Sequence, residues 1–130
     1  MAQVHKKNIQ LQPIELNANY VFNNIQFNTN AYELPTGANI ELDKLVQVLQ
    51  ENPSLQIEIS GHTDNIGKPE DNIKLSTERA KSITHYIINK GIAANRVQYK
   101  GYGSAKPLAD NKTETGRAIN RRTTVTITKI

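Results

Sequence analysis

Apolar and polar residues alternate, or recur at helical spacing, along most of the chain. Leu55, Ile57 and Ile59 alternate with polar neighbours, which predicts a strand with one buried face. The same kind of pattern predicts three further strands, over residues 21–27, from Val97 into the glycine-containing turn at 101–103, and over residues 122–130.

Two longer segments have apolar residues at the spacing of an α-helix. The first predicted helix begins after Pro35 and ends at Asn52, because the residue before a proline disfavours the α conformation. The second ends at Lys90, where Gly91 follows as a helix-terminating residue. A third, shorter helix is predicted over residues 113–120. The apolar stripes of the two long helices are Ala38, Leu42, Leu45, Val46 and Leu49, and Ala80, Ile83 and Ile87.

The resulting order of elements is β-α-β-α-β-(α)-β. It predicts an α+β fold of two layers, in which the helices pack on one face of a four-stranded sheet. We assign residues 20–130 to this single domain. Residues 1–19 are predicted to be a lead-in or linker, and the alternating apolar residues around Pro13 leave a short edge strand open there.

The composition of the chain excludes several kinds of binding site and several classes of protein. The net charge of +4 is dispersed, aromatic residues make up only 5% of the chain and Trp is absent, so a nucleic-acid groove is not expected. The absence of Cys excludes disulfides and thiolate metal sites. No apolar run is long enough to span a membrane, and the first residues lack the pattern of a signal peptide. A cytosolic protein, or a segment of a longer exported one, is therefore expected.

The stretch from Ser60 to Ala80 contains the residues best suited to binding. Asp64 lies in a glycine-bounded turn between a predicted strand and the second helix. On that helix Asn72, Ser76 and Arg79 are spaced i, i+4 and i+7, which predicts that they share one face. A carboxylate and a guanidinium that are held apart suit a zwitterion, such as a free amino-acid terminus.

Spacing alone leaves two other interpretations of Asp64 open. An aspartate in a turn often accepts hydrogen bonds from nearby backbone amides without any further role. A salt bridge between Asp64 and Arg79 would also account for the pair without a ligand.

Catalytic and metal sites are not expected. Ser60, His62 and Asp64 are spaced i, i+2 and i+4, but residues two apart on a strand are separated by about 6.5 Å, too far for a hydrolytic triad. The three histidines, His5, His62 and His85, lack the spacing of metal ligands, and no nucleotide-binding loop is present, so no cofactor is predicted. His62 is instead expected to be packed, with one ring nitrogen bonded to the backbone.

Several ordered motifs together resemble the OmpA-like C-terminal domain family, which includes the peptidoglycan-associated lipoprotein and the stator protein MotB. They are GHTDNIG at 61–67, Leu75-Ser76 with Arg79-Ala80, KGIAANRVQYKGYG at 90–103 and GRAINRR at 116–122. The resemblance covers roughly residues 20–130. It implies a mixed sheet and a non-enzymatic periplasmic domain of an outer-membrane or cell-envelope protein. Its implied partner is peptidoglycan, bound through the meso-diaminopimelate of the stem peptide.

The resemblance also implies roles for individual residues. Asp64 corresponds to the family's contact with the diaminopimelate ammonium, and Arg79 to its contact with the carboxylate. Asn72, Thr63 and Asn30 correspond to other residues of the same pocket.

Three further positions bear on the resemblance. Arg121 and Arg122 match the family's Asn-Arg-Arg run and are expected to be mainly structural, with a contact to glycan or stem peptide as the lesser alternative. Asn28 stands where many members have Asp. This departure leaves open an alternative function, a domain of the same fold that binds envelope proteins and not the wall. A peptidoglycan hydrolase is disfavoured because no general acid–base pair is present.

Overall fold

The computed structural model describes residues 14–22 and 25–130. In these residues four strands and three α-helices follow one another, with a 3₁₀ turn at Ala94–Arg96 before the third strand. The elements are β1 (Asn19–Val21), α1 (Ala38–Glu51), β2 (Gln56–His62), α2 (Pro69–Asn89), β3 (Val97–Gly101), α3 (Glu114–Asn120) and β4 (Arg122–Lys129).

The strands form one mixed sheet in the order β1-β4-β2-β3. β2 runs parallel to β3 and antiparallel to β4, and β1 is antiparallel to β4. The long helix α2 packs on β2 and β3, and α1 packs on α2. The buried side chains Ile57, Ile59, Val125 and Ile127 of the central strands join those of both long helices in a single core. The predicted two-layer α+β fold is confirmed.

Both long helices have the predicted stripes and ends. All eight of the predicted stripe residues are buried. α2 begins at Pro69, in the first turn, where a backbone amide would have no partner within the helix and proline's lack of one costs nothing. Gly91, just after the end of α2, has φ 102°, as is common for a helix-terminating glycine. The third helix is also confirmed, and the hydroxyl of Thr113 caps it by accepting from the Gly116 amide at 3.0 Å.

The predicted first strand, 21–27, was wrong in its bounds. β1 is Asn19–Val21, and neither Ile25 nor Phe27 belongs to a strand. The reason is the limited length of β4, the strand that pairs with β1. Val21 pairs with Thr124, and because the two strands are antiparallel, only Thr123 and Arg122 of β4 lie beyond that pair. The sheet therefore offers little further backbone to pair with, and Ile25 contributes to the core from outside the sheet.

The end of the predicted lead-in joins the sheet. The Asn17 amide donates to the Ile127 carbonyl at 2.8 Å, and the Ile127 amide donates to Ala18 at 2.9 Å. Ile14 and Leu16 are exposed and outside any strand. The alternative of an edge strand around Pro13 depends on residues 1–13, which lie outside the described residues.

The fully buried side chain of Asn120 ties the end of α3 to the preceding loop. Its oxygen accepts from the amides of Leu108 at 2.7 Å and Ala109 at 2.9 Å. Its nitrogen donates to the Ala109 carbonyl and to the side chain of Asn111. These four hydrogen bonds fix the backbone immediately before Arg121, which is the side chain that α3 delivers to the site described next.

Candidate ligand-binding site

A cavity of about 420 Å³ lies beside the C-terminal end of β2. Its walls are the turn after β2, one side of α2, the segment 25–30 and the junction of α3 with β4. Apolar side chains and four charged groups share this lining. The five residues predicted for the site all line it, namely Asn30, Thr63, Asp64, Asn72 and Arg79.

Asp64 is largely buried, with 12% of its side chain exposed. One carboxylate oxygen, Oδ1, accepts from the Ile66 amide at 3.0 Å, which is the turn-forming contact that the sequence left open. The other oxygen, Oδ2, accepts from Nη1 of Arg121 at 2.7 Å. The carboxylate thus shapes its own turn and carries an ion pair at the same time.

Arg79 is held by the segment that follows β1. Its Nε donates to the Ala31 carbonyl at 2.8 Å, and Nη2 donates to the Asn28 carbonyl at 3.1 Å. The guanidinium lies 5.1 Å from the centre of the Phe27 ring, within the range of a cation–π contact. Burial lowers the pKa of Arg79 below its ordinary value. The alternative salt bridge between Arg79 and Asp64 is not formed, because Asp64 pairs with Arg121 instead.

Thr63, Asn72 and Asn30 shape the backbone around the cavity. The Thr63 hydroxyl donates to the Asp64 carbonyl at 2.8 Å, and its amide donates to Gly103. The Asn72 amide group donates to the Ile66 carbonyl at 3.0 Å and so ties α2 to the turn. Asn30 has φ 57°, a left-handed conformation that Asn adopts more readily than most residues.

Ser76 does not belong to the cavity, although the sequence predicted it on the same helix face. It is fully buried, donates to the Ile73 carbonyl at 3.0 Å and accepts from the Gly103 amide at 3.0 Å. A residue three positions before Arg79 is rotated by about 60° around a helix, which here turns Ser76 toward the loop after β3. Leu75 takes the lining position beside Asn72 and Arg79.

Arg121, which the sequence predicted to be mainly structural, is part of the cavity. It lines the cavity, and its Nη1 and Nη2 donate to Asp64 at 2.7 Å and to Glu114 at 2.6 Å. Arg121 and Asp64 are 57 residues apart, so no local spacing connects them. The seven-residue separation of Glu114, at the start of the third helix, and Arg121, directly after its end, is the spacing of residues on one side of a helix, but it predicts only their mutual contact.

Arg122 also lines the cavity, but its guanidinium serves the backbone. It donates to the carbonyls of Asn120 at 3.3 Å and Lys106 at 2.9 Å, as expected for a structural residue.

His62 is packed, as predicted. It is 5% exposed, and its ring stacks on that of Tyr102 with centres 5.3 Å apart. The predicted backbone hydrogen bond is not made by Nδ1, which is buried and unpartnered among the described residues. Ser60 donates to Glu58 at 2.9 Å, which is not the arrangement of a hydrolytic triad. Burial, followed by the nearby charges of Arg122 and Lys106, lowers the pKa of His62 to about 4.

This lowered pKa predicts an acid-sensitive fold. The unfolded chain binds a proton at His62 with its ordinary pKa of 6.5, whereas the folded chain binds one only near 4. Stability from His62 is therefore complete above about pH 6.5 and is lost as the pH falls toward 4. We expect a loss of about 2 kcal/mol between pH 8 and pH 5, measured by urea unfolding. The same measurement on His62→Phe, which cannot be protonated, should show a smaller loss; an equal loss would contradict the assignment.

A sequence comparison with known families matches residues 26–121 to the OmpA family. The chain belongs to the OmpA family. Outer membrane porin F of Pseudomonas fluorescens is 34% identical over 113 residues, which are 87% of this chain and 32% of porin F. The peptidoglycan-binding protein ArfA of Mycobacterium tuberculosis is 37% identical over 86 residues, 66% of this chain and 26% of ArfA. The chain thus spans only about a third or less of the length of these two relatives.

Solved structures confirm the OmpA-family fold. The peptidoglycan-associated lipoprotein from Burkholderia pseudomallei superposes with a TM-score of 0.73 at 26% identity, over 79% of this chain and 87% of that one. The cell wall anchor of the type VI secretion system from Pseudomonas aeruginosa gives a TM-score of 0.70 at 26% identity, over 80% and 75% of the two chains. These are cell-envelope proteins, in agreement with the predicted location. None of the helices within residues 14–22 and 25–130 has the length and apolarity to span a bilayer.

Proposed function

We propose that this OmpA-family domain binds peptidoglycan without catalysis and anchors a cell-envelope protein to the wall in the periplasm. The ligand group is the meso-diaminopimelate of a stem peptide, whose free end carries an ammonium and a carboxylate. One observation carries the proposal: Asp64 and Arg79 line the same cavity and are not paired with each other.

Each end of the zwitterion has a suitable partner. The Asp64 carboxylate is the acceptor for the ammonium. Among the described residues, Nη1 of Arg79 makes no hydrogen bond, since Nε and Nη2 are used to hold the side chain against 28–31. This nitrogen is therefore the donor for the ligand carboxylate, in a charge-assisted hydrogen bond. Ile25, Phe27 and Leu75 offer apolar surface to the aliphatic chain between the two charged ends.

The names of the relatives support peptidoglycan binding without catalysis. ArfA is named a peptidoglycan-binding protein, and the secretion-system neighbour is described as a cell wall anchor. A single cavity of this kind does not need high affinity, because a polymeric wall presents many copies of the ligand and so raises its effective concentration.

The alternative, an envelope protein-interaction domain, rested on Asn28 in place of Asp. In the structure residue 28 supplies its backbone carbonyl to Arg79, a contact that does not depend on the side chain. The departure at Asn28 therefore leaves Arg79 in place, and no contact in the described residues favours the alternative.

Co-sedimentation with insoluble, diaminopimelate-containing peptidoglycan tests the proposal. The parent domain should pellet with the wall and be released by an excess of free meso-diaminopimelate. Arg79→Lys should weaken binding about tenfold, or about 1.4 kcal/mol, because an ammonium cannot hold the 28–31 backbone and the ligand together. Lys74→Arg, an exposed exchange on the same helix, is the matched control. A parent domain that remains in the supernatant would overturn the proposed function.

A further inference from the structure

The guanidinium of Arg121, which lines the cavity, joins two carboxylates. Nη1 donates to Asp64 at 2.7 Å and Nη2 to Glu114 at 2.6 Å. The two acids differ in environment, since the Asp64 side chain is 12% exposed and that of Glu114 is 67% exposed. Arg121 is thus shared between the acid proposed for ligand binding and a second acid nearer the solvent.

Glu114 is held in place independently of Arg121. Its second oxygen, Oε1, accepts from Nε of Arg117 at 3.3 Å, and Arg117 in turn donates to the Asn111 carbonyl at 2.9 Å. Glu114 raises the pKa of Arg121 more than Asp64 does, and Arg121 lowers the pKa of Glu114. Arg121 therefore keeps a charged partner even when its contact with Asp64 is broken.

The described lining of the cavity has an excess of positive charge. It contains the three guanidinium groups of Arg79, Arg121 and Arg122 but only one carboxylate, that of Asp64. His62 adds no charge at neutral pH, because its pKa is about 4. A ligand that brings only an ammonium must compete with Arg121 for Asp64 and adds a fourth positive charge. A ligand that carries a carboxylate on the same carbon as this ammonium compensates the guanidinium group that the ammonium displaces.

We propose that Arg121 is the specificity-determining residue of this cavity, which admits an ammonium group only when the carbon that bears it also carries a carboxylate. Glu114 is the positioning residue that retains Arg121 when the ligand's ammonium takes its place on Asp64. The cavity therefore selects stem peptides that end in diaminopimelate over those that end in lysine, whose side-chain ammonium has no carboxylate on the same carbon. This inference rests on the proposed function and adds the residues that discriminate between the two wall types.

Titration calorimetry with two soluble tripeptides tests it. They are L-Ala-γ-D-Glu-meso-diaminopimelate and its L-lysine counterpart, which differ in one carboxylate. The parent should favour the diaminopimelate peptide. In Arg121→Gln the dissociation constant of the lysine peptide divided by that of the diaminopimelate peptide should fall at least tenfold. Both peptides are relieved of the competition for Asp64, but only the diaminopimelate peptide also loses a partner for its extra carboxylate. Lys74→Gln removes an exposed positive charge from α2, outside the cavity, and should leave the ratio unchanged.

Glu114→Gln tests the positioning role on an exposed side chain whose loss should leave the fold intact. When Glu114 is replaced by neutral Gln, Asp64 is the only one of its two carboxylate partners that Arg121 retains. The ligand's ammonium must then displace Arg121 from that remaining partner, which costs more free energy. Binding of the diaminopimelate peptide should weaken about fivefold, and this loss should vanish in the Arg121→Gln background. A merely structural role of Glu114 would give the same loss in both backgrounds.

The outcomes separate this inference from the proposed function. A parent that binds neither tripeptide overturns the proposed function. A parent that favours diaminopimelate, with an Arg121→Gln ratio within twofold of the parent's, overturns the role of Arg121 alone. A Glu114→Gln loss that persists without Arg121 overturns the positioning role.

Discussion

Asp64→Asn is expected to abolish retention by peptidoglycan and to weaken binding of the diaminopimelate peptide at least a hundredfold. Asn keeps an oxygen for the Ile66 amide, so the turn is retained, but it removes the charge that the ligand's ammonium needs. It also leaves the three guanidinium groups of the lining without their carboxylate. A hundredfold loss corresponds to about 2.7 kcal/mol, within the range of one charged hydrogen bond. Calorimetry and co-sedimentation both measure it.

Asp110 provides a matched control for this substitution. Its Oδ1 accepts from the Lys112 amide at 2.8 Å, the same turn contact that Asp64 makes with Ile66, but it lies outside the cavity lining. Asp110→Asn should therefore bind as the parent does. If Asp64→Asn, shown to be folded by its thermal melt, also binds as the parent does, Asp64 is not the ammonium partner.

Local pattern was sufficient for most of the fold. The alternation of Leu55, Ile57 and Ile59 predicted β2, and the helical stripes predicted both long helices, because burial of one face acts at every turn of an element. The first strand was misplaced because its end depends on the point at which β4 begins, at Arg122, a hundred residues later in the chain. No pattern within 21–27 contains that information.

In the cavity, too, residues close together in sequence were predictable and contacts between distant residues were not. Asp64, Asn72 and Arg79 lie close together in sequence, so the turn and the helix period were enough to bring them to one place. The partner of Asp64 was not predictable in this way, because Arg121 reaches it through α3 and the loop that Asn120 holds. Ser76 was expected on the same helix face as Asn72 and Arg79 but lies outside the cavity. Helix spacing predicts the face, but it does not predict that the loop after β3 covers one side of that face, at Ser76.

Gly61→Ala is expected to have the largest effect on stability. Gly61 of β2 and Gly101 of β3 are paired in the sheet directly beneath α2. A Cβ atom at Gly61 would overlap the carbonyl oxygen of Ser76, and one at Gly101 would overlap the backbone of Thr77. Backbone cannot move aside as a flexible side chain can, so α2 would have to leave the sheet. We expect a loss of about 3 kcal/mol or more in the free energy of unfolding, measured with urea.

Gly91→Ala separates this steric effect from the general cost of replacing a glycine. Gly91 has φ 102° but no atom within 4 Å of an added Cβ, so only backbone strain of about 1 kcal/mol is expected. Because α2 positions Asn72 and Arg79 against the turn that holds Asp64, Gly61→Ala should also lower affinity for the diaminopimelate peptide at temperatures where it remains folded, whereas Gly91→Ala should not. Equal losses of stability in the two variants would contradict the steric overlap of Gly61→Ala with α2, and an unchanged affinity in Gly61→Ala would show that this close approach does not position the site.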